Sequence, residues 1–216
     1  MPRNHKGLVT MNITVHRGTH QIGGSAIEIS TATTRIMLDF GNELSLDEKY
    51  TPINLDIDGV TKGIADCDGI IISHYHMDHL GQLTSVLPEI PFYMGGLSKE
   101  VAMIAAEYQD KNLYLRLLGA NTFRGGEAFT IGNIHIRPLV IDHSAADSYM
   151  FVIEAEGKRV LYTGDFRMHG LRHHVLDKLV NTYIGEVDVL ITEGTSLSRD
   201  ADDCISEATV LDDISS

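Results

Sequence analysis

"GIIISHYHMDHLGQL", Gly69 to Leu83, sets three isoleucines directly before three histidines and an aspartate. The run ending at Ser73 reads as a buried central strand, because apolar side chains in succession fit a strand covered on both faces. His74, His76, Asp78 and His79 then follow in the pattern H-x-H-x-D-H, on the next loop and the start of a helix. An isolated histidine is most often a surface or hydrogen-bonded residue. Four ligand-type side chains crowded after a buried strand point instead to a metal. Imidazole nitrogen and carboxylate oxygen both suit zinc, with manganese and iron as alternatives. One ion cannot easily use all four, but two can. His74 and His76 project to the same side of an extended segment, which leaves Asp78 and His79 for a second ion.

A two-metal centre needs ligands from elsewhere. "VIDHSAADS" ends a strand at His143, and "LYTGDFR" ends another at Asp165. Either residue alone reads equally well as a cap or turn residue. Together, at neighbouring strand ends, they favour ligation: His143 completes a three-histidine set, and Asp165 bridges the two ions.

The rest of the chain supplies the frame. "NITVHRG", "SAIEIS" and "TRIMLDFG" read as an opening β-meander, and residues 43–66 as a polar loop with Pro52 and Gly59 as breakers. "LGQLTSVLPEI" reads as a helix stopped near Pro88, and "PFYMG" as a strand. "LSKEVAMIAAEYQDKNLYLRLL" reads as one long helix, capped by Ser98 and stopped at Gly119, with Val101, Ile104, Ala105, Tyr108 and Leu115 as its buried face. "EAFTIG", "IHIRPLVI", "SYMFVIEAEG" and "RVLYTGD" are strands, the last two joined by a hairpin turn at "EGKR". "LRHHVLDKLVNTYIG" reads as a further helix and "VDVLITEG" as a final buried strand. The expected fold is α/β: two mixed sheets packed face to face with helices outside.

The pattern His74-x-His76-x-Asp78-His79, then His143, then Asp165 in "TGD", resembles the metallo-β-lactamase superfamily, whose fold is an αββα sandwich. "GTHQIGGS", Asp39 in "LDFG", "HSAADS" and "TGDFR" make it similar to the β-CASP branch and, within that, to ribonuclease J-like proteins. The matching motifs run from about Val15 to Ser196. The resemblance implies that Asp39 supports the histidine loop from behind. It implies that Glu193 in "LITEGTS" orients a ligand histidine without binding metal; the plainer reading of Glu193 is a solvated acid at a strand end. It also implies RNA or DNA as substrate. The chain departs from the family after "EGTS", where an inserted β-CASP domain and further motif histidines are expected. Only about twenty residues remain and no histidine follows His174, so the second ion lacks a histidine ligand and no general acid for the leaving group is evident. Residues 1–198 are therefore expected to form the metallo-β-lactamase domain, incomplete at its C-terminus. Residues 199–216 are an acidic tail or the start of a missing β-CASP domain. Truncation is favoured over a naturally minimal member or a chain completed by a partner. An uncovered sheet edge predicts a homodimer or a partner chain.

Composition sets the outer limits. The chain has 216 residues, 43% hydrophobic, enough for one domain with a sizeable core. Its formal charge of −13 opposes simple nucleic-acid binding, which needs clustered Lys and Arg. Part of that charge is concentrated in Asp200, Asp202, Asp203, Glu207, Asp212 and Asp213 against Arg199. Cys67 and Cys204 form no CxxC pair, which suggests a reducing, cytoplasmic setting. Neither a secretory leader nor a membrane span is read.

Weaker candidates are set aside. "GTHQIGGS" has Gly24 where a phosphate loop needs lysine. His20 reads as a loop histidine, and His173 and His174 as surface residues. Ser144 and Ser148 read as turn residues, although Ser144 and His169 are also weak candidates for substrate contact. With both ions in place, coordination lowers the pKa of water from about 15.7 to roughly 7, and Asp78 or Asp165 orients the nucleophile. The leading expectation is a metal-dependent hydrolase cleaving RNA phosphodiesters, weak or inactive in this short chain. The alternatives are a small-molecule metallohydrolase acting on a thioester, lactone or phosphodiester, and a non-catalytic metal-binding fragment.

Overall fold

The computed structural model describes residues 10–44, 51, 53–197 and 205–215. Pro52, Cys204, Arg199, Asp200, Asp202, Asp203 and the boundary expected at residue 198 lie outside them. Two sheets dominate. The first has six strands in the order β1 (Asn12–Arg17), β2 (Ala26–Ser30), β3 (Arg35–Leu38), β4 (Gly69–Ile71), β5 (Phe92–Gly95) and β6 (Asn121–Phe123). The second runs β11 (Val189–Ile191), β10 (Lys158–Tyr162), β9 (Ser148–Ala155), β8 (Ile134–Ile141) and β7 (Phe129–Ile131). Both are mixed: β1, β2 and β3 pair antiparallel while β3 to β6 pair parallel, and β11 alone runs parallel to its neighbour in the second sheet.

Three apolar layers hold the sheets and helices together. Ile29, Ile36, Leu38 and Ile71 pack between the sheets against Phe151, Ile153 and Val160. On the outer face of the first sheet, Met37, Ile70, Ile72 and Met94 meet Ala102, Ala106, Leu113 and Leu117. On the outer face of the second, Leu139, Met150, Val152 and Leu161 meet Leu179 and Ile184. The isoleucine run is thus explained by strand geometry: Ile71 points inward and its neighbours outward, and each buried side chain contributes about 2–3 kcal/mol. The result is the expected αββα sandwich.

The helices differ from the sequence reading. No continuous helix follows the histidine cluster: α1 (Met77–Leu80) is four residues long, Gly81 ends it, and a 3-10 turn at Leu83–Ser85 takes the chain to Pro88. The long helix is two, α2 (Gly96–Gln109) and α3 (Lys111–Leu118), broken where Asp110 adopts φ −150°, ψ 94°. The Asp110 side chain accepts from the amides of Asn112 and Leu113 and so starts α3. Gly95, not Ser98, precedes α2. The buried face is also different: Ala102, Ala106, Leu113 and Leu117 face the sheet, while Ile104, Tyr108 and Leu115 are 63%, 85% and 55% exposed. Small alanines let α2 lie close to the sheet, a steric gain that a pattern of large apolar residues conceals.

Two strand readings change as well. β11 is an edge strand with Val189 39% and Leu190 56% exposed, not a buried one, and β6 is an additional edge strand. The "EGKR" turn forms, with Glu156 at φ 53° and Gly157 at φ 69°. α4 (His174–Leu179) continues as a π-helical turn to Ile184. In the acidic C-terminal stretch, α5 (Glu207–Ser215) forms a helix whose Glu207 pairs with Arg167 at 2.7 Å. Among the described residues no helix is long and apolar enough to cross a membrane.

Candidate metal centre

The histidine loop is built by hydrogen bonds to the first sheet. α1 begins directly after His76, which puts Asp78 and His79 on its single turn. The carbonyls of Met77, Asp78 and His79 accept from the amides of Asn42, Ser25 and Phe40 at 2.9, 3.1 and 2.7 Å. Gly41 permits this close approach, since a Cβ there would lie 1.6 Å from the Asp78 carbonyl oxygen. The second sheet contributes His143, two residues beyond β8, and Asp165, three beyond β10.

All six side chains meet. His76 Nδ1 lies 3.1 Å from His74 Nε2 and 3.3 Å from His143 Nε2. Asp165 Oδ1 lies 3.3 Å from His79 Nε2, and its Oδ2 lies 3.9 Å from His143 Nε2. Asp78 Oδ2 is 3.6 Å from His79 Nε2. Two groups of donor atoms fall within 4.8 Å of one another: His74, His76 and His143, and His74, His79 and Asp165. Tetrahedral zinc with bonds near 2.0–2.1 Å places its ligand atoms about 3.3 Å apart, which matches the three-histidine spacing. Three imidazole nitrogens aimed at one another cannot all be satisfied by one another's protons, whereas a cation accepts a lone pair from each. The residues present therefore fit a divalent ion.

Electrostatics prepare the same outcome. Burial holds the His74 imidazole far below its usual range, with His79, His143 and His76 adding to the effect. Burial likewise brings His143 down to about 4, against the pull of Asp165, and lowers His76. These rings are neutral at pH 7, the form that ligates. Burial raises the Asp78 carboxyl and Asp165 adds to it, with His79 opposing. Burial also works against the charged form of Asp165, but the hydrogen bond and charge of His79 prevail and lower it. For His79, burial is outweighed by Asp39 and Asp165, which raise it well above its ordinary value. An imidazole between two carboxylates is stabilised by positive charge at Nε2, and a divalent cation supplies that as well as a proton does.

Asp39 stands behind the loop, fully buried and at φ 56°. Its Oδ1 accepts from the Ser73 amide at 2.7 Å. Its Oδ2 accepts from Ser73 Oγ at 2.8 Å, from His79 Nδ1 at 2.8 Å and from the Tyr162 hydroxyl at 2.5 Å. Glu193 accepts from the Phe166 amide, at 2.7 Å, and meets Thr195; among the described residues no histidine is its hydrogen-bond partner. It fixes the loop that follows Asp165.

Three residues escape the sequence reading. Ser73 and Tyr162 hold Asp39, while Asp142 accepts from Arg167 Nε at 3.1 Å and from the Arg172 amide at 2.9 Å, tying the His143 strand end to the loop after Asp165. A signal existed for Tyr162 alone. Alternation along β10 turns it inward, and a buried phenol needs a partner.

A cleft of about 810 Å³ opens beside Asp78, His79 and Asp165, between β1 and β11; Val15, Ile22, Leu44 and Glu193 are among its walls. His20 lines it, but Ser144, His169, His173 and His174 do not and are exposed. Ser148 is buried and donates to the Ala145 carbonyl. Among the described residues Arg17 is the sole Lys or Arg lining the cleft, and its guanidinium donates to the carbonyls of Gly24, Gly41 and Ile53.

Comparison with known proteins agrees with this geometry. The family model described as the beta-lactamase superfamily domain matches residues 34–209. An RNase J-like protein of Methanocaldococcus jannaschii is 28% identical over 195 residues, covering 83% of this chain and 41% of that protein. Ribonuclease J of Helicobacter pylori is 24% identical over 172 residues, covering 76% of this chain and 24% of that enzyme. A crystal structure of a protein of unknown function from Enterococcus faecalis V583 superposes with a TM-score of 0.79 at 20% identity, covering 94% of this chain and 56% of that one. The chain spans less than half the length of these curated relatives.

Proposed function

The chain belongs to the beta-lactamase superfamily, and on that premise we propose that it carries a metal-dependent centre for hydrolysing RNA phosphodiesters. One observation carries the reading: six ligand-type side chains from two sheets converge with spacings that suit divalent cations. His74, His76 and His143 would hold one ion, Asp78 and His79 a second, and Asp165 would serve both. Zinc suits this donor set best, with manganese or iron as alternatives. Such ions supply Lewis acidity and make water nucleophilic near neutral pH. Asp78 and Asp165, facing the cleft, would orient the attacking water and receive its proton. RNA as substrate is supported by the names of the two curated relatives.

A second reading, a small-molecule ester or phosphodiester hydrolase, is favoured by one feature. Among the described residues the cleft offers no free cationic side chain for a polyanion, because Arg17 is taken up by carbonyls. The proposal includes a homodimer or partner chain over β11, where Val189 and Leu190 are exposed. It also includes a cytoplasmic setting, supported by two cysteines that lie far apart in the sequence and form no CxxC pair.

The test is cleavage of labelled single-stranded RNA with zinc or manganese, alongside His76→Ala and metal analysis of both proteins. Metal-dependent cleavage lost in the variant supports the RNA reading. Bound metal without RNA cleavage, but with turnover of a small ester, moves the conclusion to the second reading, and absence of metal binding overturns both. Light scattering that finds only monomers removes the homodimer.

A further inference from the structure

The ligands come from both sheets, so the second ion requires the sheets to hold a fixed spacing at this end. Besides the His143–His76 ring contact, three hydrogen bonds that cross there bear on the spacing. The Tyr149 amide donates to the Ser73 carbonyl at 3.1 Å, and the Ala146 amide donates to the Tyr75 hydroxyl at 3.2 Å. The third joins two side chains: Tyr162, on β10, donates to Asp39 Oδ2, just beyond β3, and the same oxygen accepts from His79 Nδ1. Tyr162 is also three residues before Asp165. One phenol thus anchors the strand that delivers Asp165 and the carboxylate that aims His79.

We propose that Tyr162 is a positioning residue for the second ion, fixing His79 through Asp39 at its 3.3 Å distance from Asp165. This rests on the metal-centre reading above. Asp39 has two bonds from Ser73, which belongs to the same sheet as itself, so these cannot set the spacing between sheets. Its backbone lies in the left-handed region, which non-glycine residues adopt only when surroundings enforce it. Tyr162 is 4% exposed, and burial together with the Asp39 charge keeps the phenol protonated, so it always donates. Without the hydroxyl, a buried carboxylate loses a donor and can turn, and His79 turns with it. The three-histidine group makes no direct bond to Tyr162 or Asp39; its one link, His74 Nδ1 to Ser73 Oγ at 3.0 Å, runs through a residue whose own amide is also held by Asp39 Oδ1, so its ion is disturbed less than the second.

The test compares metal-free wild type with Tyr162→Phe, Asp39→Asn and the double variant, measuring ion count and affinity by chelator competition and the visible spectrum of bound Co²⁺. Wild type binds two ions. Tyr162→Phe keeps the first and binds the second about 10–100-fold more weakly, the range for groups that orient a ligand, with an altered Co²⁺ spectrum. The double variant is no worse than Asp39→Asn, because both changes break one connection. Circular dichroism confirms that each variant is folded. Fewer than two ions in wild type overturns the two-ion reading and the proposal with it. Two ions in wild type with Tyr162→Phe unchanged, with equal losses at both sites, or with additive losses in the double variant, overturns the proposal alone.

Discussion

His143 Nε2 lies 3.3 Å from His76 Nδ1, although 67 residues separate them in the chain. His76 follows a strand of the first sheet and His143 one of the second, so this contact exists only when the sandwich has closed. On the proposed assignment, removing either takes a ligand from the same ion. His76→Ala and His143→Ala are each expected to weaken the first ion by more than about 100-fold, beyond the effect of orienting groups. Both should leave circular dichroism unchanged. Equilibrium dialysis against zinc measures it, and a variant that keeps wild-type affinity shows that its imidazole is not a ligand.

Gly41 makes a second expectation sharp. The clash its Cβ would make is with the backbone oxygen of Asp78, 1.6 Å away, so no rotamer relieves it. Gly41→Ala should cost at least about 1–3 kcal/mol, the range for overpacking, and push α1 away from the first sheet. Urea denaturation should show the loss, and ion uptake should fall with it. A variant as stable as wild type would mean that the loop accommodates the methyl group freely.

The sandwich was legible, and the six candidate ligands could be picked out together, because both follow local rules. Period-two alternation marks the strands, and ligand chemistry clusters at strand ends whatever the loops between them do. What was not legible depends on partners distant in sequence. Ser73 and Glu193 find their roles only when Asp39 and Phe166 are brought beside them. The helical face was misread because hydrophobicity ranks Ile104 above Ala106, whereas close packing on the sheet rewards the smaller side chain. β11 read as buried because it is apolar, yet as an edge strand it keeps Val189 and Leu190 exposed.

That reversal on α2 can be measured. Ile104→Gln should change stability by no more than about 0.5 kcal/mol, as exposed substitutions do. Ala106→Gln forces a polar side chain between helix and sheet and should cost several-fold more. Thermal unfolding of the two variants side by side decides it, and a larger loss for Ile104→Gln would restore the sequence-derived face.

Cys67 provides a probe away from the metal site. Burial pushes its thiol up from 9.0 to about 11, only partly offset by a backbone hydrogen bond from Gly69 to the sulfur and by Arg35. Its thiolate fraction near pH 8 is therefore roughly 100-fold below that of an unfolded cysteine. The folded state holds this proton more tightly, so the associated stability is fully present below pH 9 and is lost as pH rises towards 11. In a Cys204→Ser background, iodoacetamide should modify the native protein at least about 100-fold more slowly than the urea-unfolded one. Equal rates would show the thiol to be accessible and unshifted.

The break between α2 and α3 rests on one side chain. Asp110 leaves the helical region after its own amide bonds the Ala106 carbonyl, and its Oδ1 then accepts from Asn112 and Leu113 at 3.0 and 3.1 Å. A carboxylate at a helix start satisfies otherwise unpaired amides and meets the positive end of the helix dipole. Asp110→Ala removes both effects and should destabilise the protein by about 1 kcal/mol, while Asp110→Asn, which keeps an acceptor oxygen, should retain most of that. If the residues from Gly96 to Leu118 instead formed one helix in solution, alanine would favour its continuation, and Asp110→Ala would raise the urea midpoint. The sign of that shift separates two helices from one.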